Sequence, residues 1–572
     1  MRTNRLVPTL SIVGATSIAC GSSGQLPMQE TADAAPQEGG TGSSAGADGG
    51  ANAYDAGASE SDAGTCTTSV TPSAGVVVTD RGPVQGTQEM GAWAYRGVPY
   101  AAPPLGSLRW APTEAHACWS STLAASTFGG ICPQVESSNP PNVVGQEDCL
   151  TANVWTPSSA TPTSKLPILV FIHGGGNTQG SSAEMKDGAY VYDGALLAAS
   201  ENAVVVTFNY RLGPLGFLAH PSFGPHPGNY GTQDQIFALG WVQRNAAAFG
   251  GDPTHVLVFG QSAGAVDVCS LVASPQAKGL FSAALMESGG CTAKTASVAQ
   301  SFGQGWATKA GCSSAPDVAS CLRALTGPAV IEVEPEQADV AAPGQGDYEP
   351  NVDGVTLTGL PDQVIRSGMH NHVPLVIGSN SDETSESLAG TYPKGMTEAE
   401  YQAAVLAFTS NNQTLTSQIL AMYPASNYAT PLQAYVQVTT DEKFTSGASY
   451  DACVAAQGQT DAPVWRYFYS HHVENAMAAV KALGAWHGQE LLFVFRNLGN
   501  YTPSAGEQTL AGTVGAYWSS MARSGSIASP TWPTYDPATG PYLQIDDTVQ
   551  AGTGLRASLV QFWNGALGRT CP

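Results

Sequence analysis

Positive charge is scarce in this 572-residue chain: 22 Lys+Arg stand against 45 Asp+Glu, a formal net charge of −23. A chain this acidic, without basic clusters, argues against a nucleic acid as partner and for a well-solvated surface. Long hydrophobic runs are scarce too. The run Leu6–Ala19, behind Arg2 and Arg5, is too short to span a bilayer comfortably and is broken by Pro8. It reads as a signal peptide over residues 1–19. There is no internal repeat and no glycine loop of the Walker or dinucleotide type, so nothing points to a nucleotide or another cofactor. Residues 21–65 hold no Lys or Arg and almost nothing apolar, being mostly Gly, Ala, Ser and Asp. Such a tract cannot offset its ordering entropy, and it is expected to be a disordered linker.

The leader ends in Ser17-Ile18-Ala19-Cys20, which is similar to a bacterial lipobox with Ser17 where that motif usually has Leu. In that reading Cys20 is lipidated after cleavage and tethers the protein to the membrane. Cleavage after Ala19 by an ordinary signal peptidase also fits. Both readings export the protein, to the medium or to the cell envelope; only the first anchors it. Eleven cysteines are present, and Cys20 belongs to the leader. Ten remain, an even number, which suggests disulfides in an exported chain.

The globular part, 66–572, is 507 residues at most and ample for a large core, with 42% of the whole chain hydrophobic. Val76–Thr79, Trp93–Tyr95, Asn153–Trp155 and Pro167–Ile172 read as strands. So do Ala203–Phe208, Val256–Phe259, Ala283–Met286, Pro374–Gly378 and Val464–Tyr469. Gln233–Phe249 reads as a helix. Strands alternating with helices, several of them unbroken apolar runs, predict an α/β fold with a large, mostly parallel central sheet.

The chemistry centres on Gly260-Gln261-Ser262-Ala263-Gly264. The pattern G-x-S-x-G is weak alone; Gly42-Ser43-Ser44-Ala45-Gly46 fits it within the linker. Around Ser262, however, an apolar strand precedes the motif and an Ala- and Val-rich helix follows it, the context of a nucleophile elbow. A serine hydroxyl then needs a base, an orienting acid and donors for an oxyanion. Gly174-Gly175-Gly176, after the apolar strand ending at Ile172-His173, can bring backbone N–H groups close to a substrate oxygen, and Ala263 adds another. The acid is expected after the serine: Asp382 or Glu383, following Leu375–Gly378, which spacing does not separate. Beyond them lie His471, His472 and His487. The first two close an aromatic strand and read as structural. His487, in the loop Gly484-Ala485-Trp486-His487-Gly488, is the candidate base.

Taken together the chain closely resembles the type-B carboxylesterase family of α/β-hydrolases, over roughly residues 75–566. The likeness rests on Tyr95–Tyr100, Pro103–Gly106, Leu108–Trp110, Glu147–Leu150, Asn153–Pro157, Asn209–Gly213, Gly228–Gly231 with Asp234-Gln235, Trp241–Gln243, Phe249–Pro253 and the elbow. The resemblance implies an ester hydrolase that needs no metal or organic cofactor. Its nucleophile would be Ser262, its acid Glu383 rather than Asp382, its base His487, and its oxyanion donors Gly175, Gly176 and Ala263. It implies disulfides Cys132–Cys149 and Cys312–Cys321 and an Arg109–Glu147 ion pair. Cys453 matches a half-cystine whose usual partner position, near Val560, lacks Cys; Cys571 is a candidate substitute, and the pairing stays open at this level. Cys66, Cys118, Cys269 and Cys291 stay unpaired at this level. Two departures bear on substrate. Gln261 stands where many relatives have Glu, and the stretch between Cys132 and Cys149 has no aromatic residue. The second argues against choline esters. The substrate implied is a small or medium organic ester, with no protein partner. The alternatives are a non-catalytic adhesion protein on the same fold, and an amidase or peptidase using the same residues.

Overall fold

Alternation within single strands fixes the layers of this α/β structure. The computed structural model describes residues 65–571, apart from 187, 343–345 and 528–531. The signal peptide, Cys20 and all but the last residue of the linker lie outside the described residues. In chain order the main-sheet strands are β1 (Thr87–Glu89), β2 (Ala92–Pro99), β3 (Thr151–Pro157), β4 (Leu166–Ile172), β5 (Val204–Phe208), β6 (Gly251–Gln261), β7 (Ala283–Glu287), β8 (Leu375–Asn380), β9 (Val464–Tyr469), β10 (Pro541–Ile545) and β11 (Gln550–Thr553). They form one 11-stranded sheet in the order β11-β10-β9-β8-β7-β6-β4-β5-β3-β2-β1. The stretch from β5 to β10 is parallel; antiparallel strands close both ends.

Every residue of β4 is buried. Ile168, Val170 and Ile172 join the core on one face, where α1 (Tyr230–Asn245) and α2 (Ala263–Ala273) contribute Trp241, Val268 and Leu271. Leu169 and Phe171 join the core on the other, with Phe493 and Phe495 of α3 (Gln489–Phe495) and Val514 and Trp518 of α4 (Ala505–Ser524). A period of two on strands covered on both faces explains the unbroken apolar runs.

Val76–Val78 does not enter this sheet. A turn in which the Thr79 N–H donates to the Gly82 carbonyl folds it straight back on Pro83–Gln85, and with Leu123–Ala124 these make a separate three-stranded sheet. The helix expected over Gln233–Phe249 starts earlier, at Tyr230, and its last turn, Ala246–Phe249, tightens to a 3-10 helix.

Among the described residues five disulfides are formed: Cys66–Cys118, Cys132–Cys149, Cys269–Cys291, Cys312–Cys321 and Cys453–Cys571. They are bonds of an oxidising compartment and suggest an extracellular or secreted protein. Cys453–Cys571 ties positions 118 residues apart and holds the C-terminus to the helix Ser446–Gly458. Arg109 forms a two-pronged ion pair with Glu147, one bond at 2.7 Å, and also donates to the Leu325 carbonyl at 2.6 Å. Among the described residues no helix is long and apolar enough to cross a membrane.

Several carboxyl groups are buried with no ion pair among the described residues, Asp451 being only partly offset by the charge of Arg569. Burial pushes Asp267 and Asp451 up to about 7, and Glu490 up to about 8 with the charge of Glu383 adding to it. Glu287 is driven well above the carboxylate range by burial and by Glu490. Each binds its proton more tightly folded than unfolded. For Asp267, Asp451 and Glu490 this stabilisation is complete below about pH 4 and is lost as pH rises from there through 7 to 8, at up to about 1.4 kcal/mol per group and pH unit. Thermal unfolding followed by circular dichroism should therefore give a Tm several degrees lower at pH 8.5 than at pH 5.5.

Candidate active site

Parallel strands deliver their carboxyl ends to one edge. Gly260 of β6 pairs with Ile172 of β4, Gln261 with Glu287 of β7, and Glu287 with Gly378 of β8. The glycine loop, the elbow and the acidic loop thus leave the sheet side by side.

Ser262 turns between β6 and α2 with φ +59° and ψ −125°, a conformation that strains a non-glycine residue. Sterics explain both flanking glycines. A Cβ on Gly260 would lie 2.4 Å from the Gly264 carbonyl oxygen, and one on Gly264 would lie 2.1 Å from that of Ile172. The turn is held by the Ser262 N–H donating to the Glu287 carbonyl at 2.8 Å. Ser262 itself remains partly exposed.

The glycine loop packs directly against the serine. A Cβ on Gly174 would stand 2.8 Å from the Cβ of Ser262, and Gly175 and Gly176 have φ +109° and +64°. Among the described residues, no hydrogen bond takes up the N–H of Gly175 or Gly176. Ala263 opens α2, where N–H groups have no partner within the helix.

Glu383 and His487 meet. The imidazole Nδ1–H donates to Glu383 Oε2 at 2.7 Å, and the His487 backbone N–H donates to the Glu383 carbonyl at 3.1 Å. The carboxylate is fully buried, and its other oxygen accepts the Asn380 backbone N–H at 2.7 Å. The ring lies 5.1 Å from that of Phe444. Its Nε2 is buried and, among the described residues, makes no hydrogen bond with Ser262 or any other group. An imidazole bonded in this way at Nδ1 has its tautomer fixed and Nε2 free to accept a proton. The Gln261 side-chain amide lies between the two loops, its Oε1 3.2 Å from a Cβ placed on Gly174 and its Nε2 3.6 Å from one placed on Gly488.

Asp382 goes elsewhere. Its Oδ2 accepts the Ala485 N–H at 3.2 Å and lies 3.7 Å from His472 Nε2; its Oδ1 accepts from Gln437 at 3.2 Å. Burial raises its pKa, but these contacts with His472, Ser381 and Ala485 outweigh it and leave it lowered. Asp382 thereby pins the loop that carries His487. His471 is buried, bonded to Asp547 at 2.7 Å and Glu507 at 3.2 Å, and serves packing.

Three polar residues beside the site escape a reading based on motifs. Asn380 donates its side-chain amide to Glu490 and to the Trp486 carbonyl, the latter at 2.8 Å. Glu490 sits three residues after His487. Glu287 accepts from Trp518 Nε1 at 3.0 Å. The available signal is a carboxylate closing a wholly apolar strand, as Glu287 does after Ala283–Met286.

The chain matches the family model described as Carboxylesterase family over residues 73–563. It belongs to that family and is a serine carboxylic-ester hydrolase with its α/β-hydrolase fold. Among curated relatives, it is 34% identical over 497 residues to the para-nitrobenzyl esterase of Bacillus subtilis (strain 168), an alignment covering 83% of this chain and 95% of that one. It is 32% identical over 523 residues to the liver carboxylesterase of Sus scrofa, covering 83% and 89%. To the acetylcholinesterase of Danio rerio it is 31% identical over 570 residues, covering 86% and 88%.

Proposed function

We propose that Ser262 is the nucleophile of this esterase, His487 its general base and Glu383 the acid that orients the base. The Ser262 hydroxyl attacks the ester carbonyl as His487 Nε2 takes its proton. Glu383 offsets the charge left on the imidazolium. The oxyanion is held by the N–H groups of Gly175, Gly176 and Ala263, and each such donor contributes about 3 to 4 kcal/mol to the transition state. The alcohol leaves with the proton from His487. Water, activated by the same imidazole, then releases the acid from the acyl-enzyme. The observation that supports this most is the 2.7 Å bond between His487 and the buried Glu383, beside a strained serine whose neighbours are free backbone donors. The absence of a Ser262–His487 bond fits the loose geometry common in such sites before the transition state.

The substrate proposed is a small or medium uncharged ester, of the kind the name para-nitrobenzyl esterase gives for one relative. The test is a p-nitrophenyl ester series of increasing acyl length beside matched p-nitroanilides. Ester turnover should far exceed anilide turnover at every length. Comparable anilide turnover would make the enzyme an amidase, and no turnover together with no labelling by a fluorophosphonate would make it a binding protein. The leader supports a further proposal, export followed by lipid attachment at Cys20 to the bacterial envelope. Cys20→Ala should then release an otherwise membrane-bound protein into the soluble fraction. An unchanged distribution contradicts the anchor.

A further inference from the structure

Asp267 has no place in the mechanism above, yet it is completely buried in the middle of α2, five residues beyond Ser262. Among the described residues it has no cationic partner; two side-chain amides and the Tyr210 hydroxyl approach it instead. Asn177 Nδ2 donates to Oδ1 at 3.2 Å, and Gln235 Nε2 of α1 donates to Oδ2 at 2.6 Å. Burial raises its pKa, and the hydrogen bonds from Gln235, Asn177 and Tyr210 only partly offset this. An apolar side chain at this point of an Ala- and Val-rich helix would avoid that cost.

Asn177 directly follows Gly176. It has φ +57°, and its carbonyl accepts the Gly213 N–H at 2.6 Å. The hydroxyl of Tyr210 lies 2.9 Å from the His173 carbonyl and 3.1 Å from Asn177 Oδ1, while its ring stacks on that of His173 at 4.5 Å. Both ends of the glycine run are therefore gripped by buried polar side chains. Asn177 and Tyr210 both also reach Asp267, on the helix that carries the serine.

We infer that Asp267 is a positioning residue for the oxyanion donors: through Asn177 it fixes the Gly175–Gly176 backbone relative to the helix behind Ser262. The inference rests on the proposed roles of Ser262, Gly175 and Gly176. The acceptor oxygen matters more than the charge. A neutral carboxyl, or an amide in its place, still offers a C=O to Asn177, and Gln235 Oε1, buried without a partner, can accept a proton from the other arm once its amide turns over. Donors displaced by a fraction of an ångström stabilise the transition state less, but bind the ground-state ester nearly as well.

The decisive comparison is Asp267→Val with Asp267→Asn in the full chain. Asp267→Val should lower kcat about 10- to 100-fold, within the range for a weakened oxyanion donor, with KM changed less than about threefold. It should weaken inhibition by a trifluoromethyl ketone, which forms an oxyanion, by the same factor. Asp267→Asn should restore kcat to within about threefold of the parent, because it keeps the acceptor. Asn177→Gly, chosen because glycine accepts the positive φ, should reproduce the kcat loss. Combined with Asp267→Val it should add nothing further. If Asp267→Val does not fold, Asn177→Gly reports on that bond together with the one from the Tyr210 hydroxyl, and Asp267→Asn stays the discriminating variant. An unchanged kcat in the variant that folds, equal damage from Asp267→Asn, or additive effects in the double variant would overturn the inference. Ser262→Ala separates the two levels: if it stays active the proposed mechanism fails, whereas an inactive Ser262→Ala beside a fully active Asp267→Val sinks only the role of Asp267.

Discussion

Ser262→Ala is expected to lower kcat on p-nitrophenyl acetate by about four to six orders of magnitude, the scale seen when the nucleophile of a serine hydrolase is removed. KM should stay within a few-fold, since alanine leaves the crevice unfilled by one oxygen only. The fold should survive. The Ser262 main chain makes the structural bonds of the elbow, donating to Glu287 and accepting from Ala265 at 2.9 Å, and alanine keeps both. Alanine also removes a hydroxyl that has no bond to the imidazole in this structure, so little stability is at stake. Steady-state kinetics of the purified variant, with Tm as control, checks this. Turnover near the parental rate would place the chemistry on another residue.

The second large effect separates two neighbouring acids. Glu383→Gln should lower kcat by about three to four orders of magnitude, as when the orienting acid of a triad becomes an amide. The glutamine cannot accept from both the Asn380 N–H and His487 Nδ1–H, and one of its arms now offers a donor where an acceptor is required. The imidazole then turns to the wrong tautomer. Asp382→Asn should cost far less in kcat, because its partners are Ala485, Gln437 and His472 rather than His487. Its effect should appear in Tm, through a looser loop 484–487. Equal losses of kcat in the two variants would mean that either acid can orient the base.

The buried Asp267, Asp451, Glu287 and Glu490 all favour the folded state in acid, so stability should fall as pH rises.

Much of this was legible in the sequence because it is local. The elbow is set by glycines that contact their own neighbours, and the central strands are unbroken apolar runs because both faces are covered. What failed was non-local or weakly patterned. Val76–Val78 has the composition of a sheet strand, and only the tight turn at Thr79–Gly82 takes it out of the main sheet. β11 is polar and mostly exposed, so it carries no apolar period, and β10 pairs only in part with its parallel neighbour β9. Asp382 and Glu383 differ by one position in a loop, and the direction of each side chain depends on residues some hundred positions away. Cys66–Cys118 and Cys269–Cys291 obey no spacing rule. Asp267 is a single polar letter in an apolar helix, and its meaning depends on what Asn177 and Gln235 bring to it.

The most direct test of the central claim is active-site titration with a fluorophosphonate, followed by mass spectrometry of the labelled peptides. One phosphonyl group per chain, on Ser262, with esterase activity falling in proportion and labelling suppressed in His487→Ala, is the predicted result. Labelling at another serine, or full ester hydrolysis after Ser262 is quantitatively modified, would contradict it.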